Sequence, residues 1–302
     1  MSKNIVDLVP EFETRLISVS PDAENLIAYC ARVSNPSNQT NPSISGLLKY
    51  CIRNEHWSIF EQANLVVEVK TTRAITAQIL RHKSFSFQEF SQRYASVNEA
   101  VLPEARLQDS KNRQNSIEVN NEDLQREFEV SAYKAFLHSF EVYNDALEAG
   151  IAKECARAVL PMNTRSVINI NGTVRSWIHY LMLRTGNGTQ LEHKRIADEI
   201  KETIFKPNFP HIYEALWGAF GYAHRYVFEQ DESSHWYCFP SQFKQNFYDL
   251  IQVMQNLEDT DIEEELDLLS AAESEFNERF EKYRRDGSPH GMEIRLIRDV
   301  WN

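Results

Sequence analysis

The order of helical and strand-like segments along the chain predicts an α+β fold, a mixed sheet with packed helices. Three observations carry this. Segments 64–71 (NLVVEVKT) and 165–171 (RSVININ) alternate apolar and polar residues in the manner of half-buried strands. Residues 122–148 form a long helical pattern that opens on acidic residues and closes at Gly150. Helical patterns then cluster in the second half of the chain instead of alternating one by one with strands, which favours α+β over α/β.

The elements follow in order. After the Val-rich strand at 64–71, residues 72–81 read as a helix with Ile75, Ile79 and Leu80 on one side. The polar, Asn-rich stretch 108–123 (QDSKNRQNSIEVNNED) reads as a surface loop. Residues 152–160 suit a short helix stopped at Pro161. Two further helices, 173–184 and 189–205, are separated by Gly186–Asn187–Gly188. From Glu258 to Glu275, nine of eighteen residues are acidic and are interleaved with Ile262, Leu266, Leu268 and Leu269, an amphipathic helix with a solvated face. The expected organisation is a catalytic domain over residues 1–224 and a helical extension of unknown role over 225–302.

The chain has 302 residues, with 32 Lys+Arg against 44 Asp+Glu, a net charge of −12. That balance argues against a nucleic acid polymer or an anionic membrane as the main partner, since both recruit by positive charge. It leaves room for a small anionic ligand, which needs only a local cluster of Arg. The first residues lack the long apolar segment of a signal peptide, and no apolar run approaches the ~20 residues that span a bilayer. Four cysteines are scattered without a CxxC pair. A cytoplasmic protein with reduced thiols is expected, and the histidines show no spacing that suits a metal.

Chemistry concentrates in two places. Residues 81–94 (RHKSFSFQEFSQRY) gather three cations and a histidine in an otherwise acidic chain, interleaved with Phe85, Phe87, Phe90 and several serines. Arg forks and Ser hydroxyls suit phosphate, and aromatic rings suit a planar heterocycle. From the residues alone, a phosphate-bearing nucleotide site and a basic surface helix beside an aromatic strand both fit. The second cluster comprises Glu154, Arg157, Arg165, Arg175, His179 and Arg184. On a helix Arg175 and His179 share a face, whereas Arg184, nine residues beyond Arg175, points roughly 180° away at ~100° per residue. One helix serving two surfaces favours an oligomer with sites at subunit contacts. No GxGxxG follows a strand and no P-loop is present. Cys155, in ECARAVLP, is expected to be a buried structural thiol.

These residues resemble the flavin-dependent thymidylate synthases. Arg81-His82-Lys83, seven residues, then Ser91-Gln92-Arg93-Tyr94 is similar to the family's RHR signature. His56–Gln62 (HWSIFEQ) resembles its H-x-S-x-F-E-H element, Ala156–Pro161 (ARAVLP) its A-R-x-V-L-P, and Arg175–Arg184 its flavin and nucleotide helix. Four motifs in register cover residues 10–220. Departures are Gln62 for His, Lys83 for Arg, Gln88 for Asn and Thr173 for Asn.

The resemblance implies a flavin-dependent thymidylate synthase-like fold, assembled as a homotetramer with FAD bound between chains. It implies reductive methylation of dUMP to dTMP, with methylenetetrahydrofolate as carbon donor and NADPH as reductant. Alternatives on the same scaffold are a pyrimidine deoxynucleotide hydroxymethylase and a catalytically inactive flavin- or nucleotide-binding protein. By family position Ser58, Arg81, His82, Lys83, Glu89, Arg175 and His179 would contact FAD. Gln78, Arg81, Glu89, Phe90, Ser91, Gln92, Arg93, Arg157 and Arg184 would hold the nucleotide, with Arg184 also the catalytic residue that stabilises the N3-ionised uracil.

Overall fold

A computed structural model of the chain describes residues 6–186, 188–218, 226–230, 236–240 and 294–295. It divides into two compact units, Met1–Leu47 with His56–Pro210, and Leu48–Glu55 with His211–Asn302. The elements, in order, are β1 (Asp7–Leu8), β2 (Glu13–Val19), α1 (Ala23–Ala31), α2 (Ser45–Arg53), β3 (Asn64–Thr72) and α3 (Arg73–Ile79). Then come β4 (Ser86–Glu89), β5 (Glu99–Ala100), β6 (Arg106–Gln108), β7 (Ser116–Glu118), α4 (Glu122–Glu148) and α5 (Lys153–Ala156). The first unit ends with β8 (Arg165–Thr173), α6 (Val174–Arg184), α7 (Leu191–Glu199), a π-helical turn over Ile200–Phe205 and α8 (Lys206–Asn208).

The α+β class holds. The main sheet has four strands in the order β2-β3-β8-β4, and each pair is antiparallel. Strand alternation decides its buried face. Leu65, Val67 and Val69 of β3 stand opposite Gly172, Ile170 and Ile168 of β8, and all of them are buried. Trp177 of α6 packs into this core and donates from Nε1 to the Leu65 carbonyl at 2.9 Å, so the indole N–H is not left unsatisfied.

Both central strands run directly into a helix through a threonine cap. Thr72 accepts from the Ile75 amide at 3.3 Å and starts α3; Thr173 accepts from the Ser176 amide at 3.2 Å and starts α6. Because β3 and β8 are antiparallel, these helices leave opposite ends of adjacent strands.

The long helix α4 matches its expected bounds. Asn121 caps it by accepting from the Leu124 amide at 3.1 Å, and Gly150, at φ +84°, ends it in a conformation that costs glycine little. Its Phe136 and Phe140 form a second core with Val6 and Ala100. Within 108–123 the chain is more ordered than a plain loop: Ser116–Glu118 pairs with Arg106–Gln108 as a short hairpin. The missed strand is three residues long and fully exposed, too short for a period to register.

In the second unit, Leu48, Cys51 and Ile52 of α2 are buried, as are Ile212, Ala215 and Leu216 of α9 (Pro210–Trp217). Beyond it, β9 (Tyr226–Gln230) pairs antiparallel with β10 (Trp236–Pro240), and β10 pairs in parallel with β11 (Ile294–Arg295). The amphipathic helix expected over 258–275 lies outside the described residues.

Candidate active site

The helix α6 organises the site from two sides. Its Arg175 and His179, one turn apart, both meet the single turn of 3-10 helix at Trp57–Glu61: Arg175 forms an ion pair with Glu61, and the His179 ring stands edge-on to Trp57 at 5.0 Å. Ser58 is exposed on that same turn. Burial and the neighbouring Arg175 cation both lower the His179 pKa, so the ring is neutral near pH 7.

On the other side of α6, Arg184 donates from Nε to His82 Nε2 at 2.8 Å. A ring nitrogen that accepts carries no proton, so His82 is the neutral tautomer with its proton on Nδ1. Burial is the main cause that brings its pKa down to about 4, assisted by the cations Arg184 and Arg81. The His82 ring is edge-on to Tyr180 at 4.8 Å and to Phe85 at 6.4 Å. Among the described residues no carboxylate pairs with Arg184, and its acceptor is neutral, so its charge is uncompensated. The expected opposition of Arg175 and Arg184 is therefore present, with each cation on its own surface.

Behind Arg184 lies a polar chain. The Tyr180 hydroxyl is 3.0 Å from His193 Nε2, and His193 Nδ1 is 3.4 Å from Gln78 Oε1. Gln78 Nε2 donates to Gln190 Oε1 at 2.5 Å. Tyr180 and His193 are both buried. Burial brings the His193 pKa down to about 3, with Arg184 and His82 contributing, and raises that of Tyr180. Sequence reasoning missed Tyr180, Gln190 and His193. The signal was a histidine on an apolar stripe: His193, Ile196, Ala197 and Ile200 recur at helical spacing and are all buried.

The remaining candidates are distributed around these groups. Arg81 and Lys83 are exposed on the turn between α3 and β4. Glu89, at the end of β4, is held by an ion pair to Arg73 and accepts from the Ser166 hydroxyl at 2.8 Å. Phe90 continues along β8, its amide donating to the Val167 carbonyl at 2.8 Å. Ser91 Oγ lies 3.4 Å from the Arg93 amide, and Arg93 pairs with Glu154 at 2.9 Å, both half exposed. Gln92 is buried with its Nε2 unpartnered among the described residues. Arg157 heads the turn after α5, and among the described residues no carboxylate pairs with it.

Two readings are corrected. Arg165 does not join the cationic cluster: it is buried and donates to the Pro10 carbonyl at 2.5 Å and to Glu13 at 2.7 Å, tying the N-terminal segment to β8. Cys155 is exposed instead of buried, because the short α5 turns Ala156 inward.

No group of three or more His, Cys, Asp or Glu that could hold a metal occurs among the described residues, and none of their helices is long and apolar enough to cross a membrane. The uncompensated Arg184 beside a neutral His82 and aromatic rings, with exposed cations on the α3–β4 turn, is chemically suited to an anionic, ring-bearing ligand. The family model of the thymidylate synthase complementing proteins matches residues 15–211. A probable flavin-dependent thymidylate synthase of Paramecium bursaria Chlorella virus 1 is 59% identical over 196 residues, 64% of this chain and 90% of the relative. The flavin-dependent thymidylate synthase of Synechocystis is 51% identical over 193 residues, 64% of this chain and 89% of the relative. Among solved structures, a UMP/dUMP methylase, PolB, from Streptomyces cacaoi bound with 5-Br dUMP aligns with TM-score 0.63 and 28% identity, covering 70% of this chain and 96% of that one. The chain belongs to the flavin-dependent thymidylate synthase family.

Proposed function

We propose that this chain catalyses the FAD-dependent reductive methylation of dUMP to dTMP, using methylenetetrahydrofolate as carbon donor and NADPH as reductant. The observation that carries the reading is Arg184, whose guanidinium spends one N–H on a neutral imidazole and keeps its charge and outer donors for a ligand. Uracil becomes nucleophilic at carbon as negative charge develops on N3 and its flanking carbonyls. A preorganised Arg stabilises that charge without titrating. His82 aims the Arg184 fork and, being neutral, leaves its field unquenched.

Ser91, Arg93 and Arg157 form the proposed phosphate clamp, in which phosphate oxygens would replace the half-exposed Glu154 as partner of Arg93. Gln78, Arg81, Glu89, Phe90 and Gln92 complete the nucleotide pocket; the buried, unpartnered Gln92 amide is a donor that a ligand would satisfy. The residues also fit a flavin: Ser58, Arg81, Lys83 and His179 expose hydroxyl, cationic and imidazole donors, and Arg175 stands over the Trp57–Glu61 turn. With His82 and Glu89 these would hold FAD, which when bound supplies the hydride that completes the methyl group. No cysteine nucleophile is required.

The proposed assembly is a homotetramer with sites at subunit contacts, supported by the two surfaces that α6 serves, with Arg175 meeting the Trp57–Glu61 turn and Arg184 meeting His82. Residues 1–224 are taken as the catalytic domain. The test is product analysis with purified protein, dUMP, methylenetetrahydrofolate and NADPH. A yellow protein forming dTMP is expected. Hydroxymethyl-dUMP without dTMP would assign a hydroxymethylase instead, and dUMP binding without turnover a binding protein.

A further inference from the structure

The polar chain behind Arg184 has a direction, and its anchor sets that direction. Arg106, largely buried, donates to Glu192 at 2.5 Å and to Glu104 at 3.0 Å. Glu192 is a carboxylate and only accepts; Arg106 helps to keep its pKa below the ordinary value. Gln190 Nε2 therefore donates to Glu192 Oε2, at 3.0 Å, which leaves Gln190 Oε1 as the acceptor for Gln78 Nε2. Gln78 Oε1 must then accept, which requires the proton of His193 on Nδ1. His193 Nε2 is left to accept from the Tyr180 hydroxyl. Each link has one consistent assignment, and the sequence of donors runs from Tyr180 out to Glu192.

An amide has no strong preference between its two flipped orientations until its partners decide. Here the decision is made by a fully buried imidazole on one side and a carboxylate-anchored glutamine on the other. We infer that His193 is a positioning residue that, as the neutral Nδ1-protonated tautomer, fixes the amide of Gln78 in one orientation and so preorganises it for the nucleotide. This rests on the proposed role of Gln78 at dUMP. Burial and the nearby Arg184 keep the ring neutral, so it stays a single donor and a single acceptor across the working pH range. Rigidity of this kind lowers the ordering cost of binding and leaves the chemical step alone.

The test is equilibrium dialysis of radiolabelled dUMP against the flavin-loaded protein and three variants. His193→Phe keeps the aromatic volume and removes both hydrogen bonds; about tenfold weaker dUMP binding with unchanged flavin content and kcat within twofold is expected. His193→Asn restores a donor near the Nδ1 position and should recover binding to within about threefold of wild type. Glu192→Gln, at a partly exposed position, frees the chain to reverse and should also weaken binding. Wild-type affinity in His193→Phe, or equal loss in the Phe and Asn variants, would overturn the inference. Failure of the wild-type protein itself to bind dUMP would overturn the proposed function instead. Nitrogen-15 spectra of histidine-labelled wild-type protein supply a readout that needs no variant: an Nδ1-protonated neutral His193 is expected, and an Nε2-protonated or charged ring refutes the assignment.

Discussion

Arg184 shows how neighbours set the electrostatic surroundings of one side chain. A guanidinium paired to a carboxylate spends its field locally; this one donates to a neutral histidine at 2.8 Å. Arg184→Ala should therefore lower turnover by about a hundredfold to a thousandfold while the protein stays yellow and folded, the range for loss of an oxyanion-type donor. A variant that turns over at more than a tenth of the wild-type rate would remove Arg184 from the mechanism. The two buried histidines make a separate prediction on stability. His82 and His193 titrate at about 4 and about 3 in the folded state, against an ordinary value of 6.5. Between those values the unfolded chain binds more protons, so stability is complete above pH 6.5 and declines as pH falls toward 4. Thermal unfolding followed by circular dichroism from pH 7.5 to 4.5 should show a shallower decline in His193→Phe than in wild type; parallel curves would contradict the neutral buried state. Cys155→Ala should retain full activity, because the exposed thiol enters no hydrogen bond to the site.

At the level of elements, the site depends on how β8 hands over to α6. A Cβ built on Gly172 would come within 2.3 Å of Phe85 Cδ1 and 2.5 Å of Cε1. Phe85 has little freedom to withdraw, since it is buried against Trp177 at 4.9 Å and Tyr180 at 5.6 Å. Gly172→Ala should destabilise the fold by roughly 1–3 kcal/mol, the range for overpacking a core, measured by urea denaturation. Thr173→Ala removes the α6 cap and should cost about 1 kcal/mol in the same assay. The threonine that departs from the family's usual Asn thus keeps a capping oxygen at the right place. These elements were legible in the sequence because their periods are long enough to read: β3, β8, α4 and α6 fall within two residues of expectation. The hairpin at 106–118 was not legible, since two three-residue strands offer no pattern to count.

For the whole molecule, a net charge of −12 coexists with cations gathered on α6 and the α3–β4 turn. Sedimentation equilibrium should report four copies of the chain; a monomer that retains full activity would contradict sites at subunit contacts. The sequence by itself determined the class of fold, the motif residues and the opposed faces of Arg175 and Arg184, because helical period and residue chemistry are local properties. The tertiary structure decided which of those residues stand together. It withdrew Arg165 to the N-terminal segment, exposed Cys155 and set a neutral His82 beside Arg184. It also joined Gln78 to His193, residues 115 apart in the chain. Burial, tautomer and hydrogen-bond direction belong to pairs and environments, and these exist only once distant segments are packed against one another.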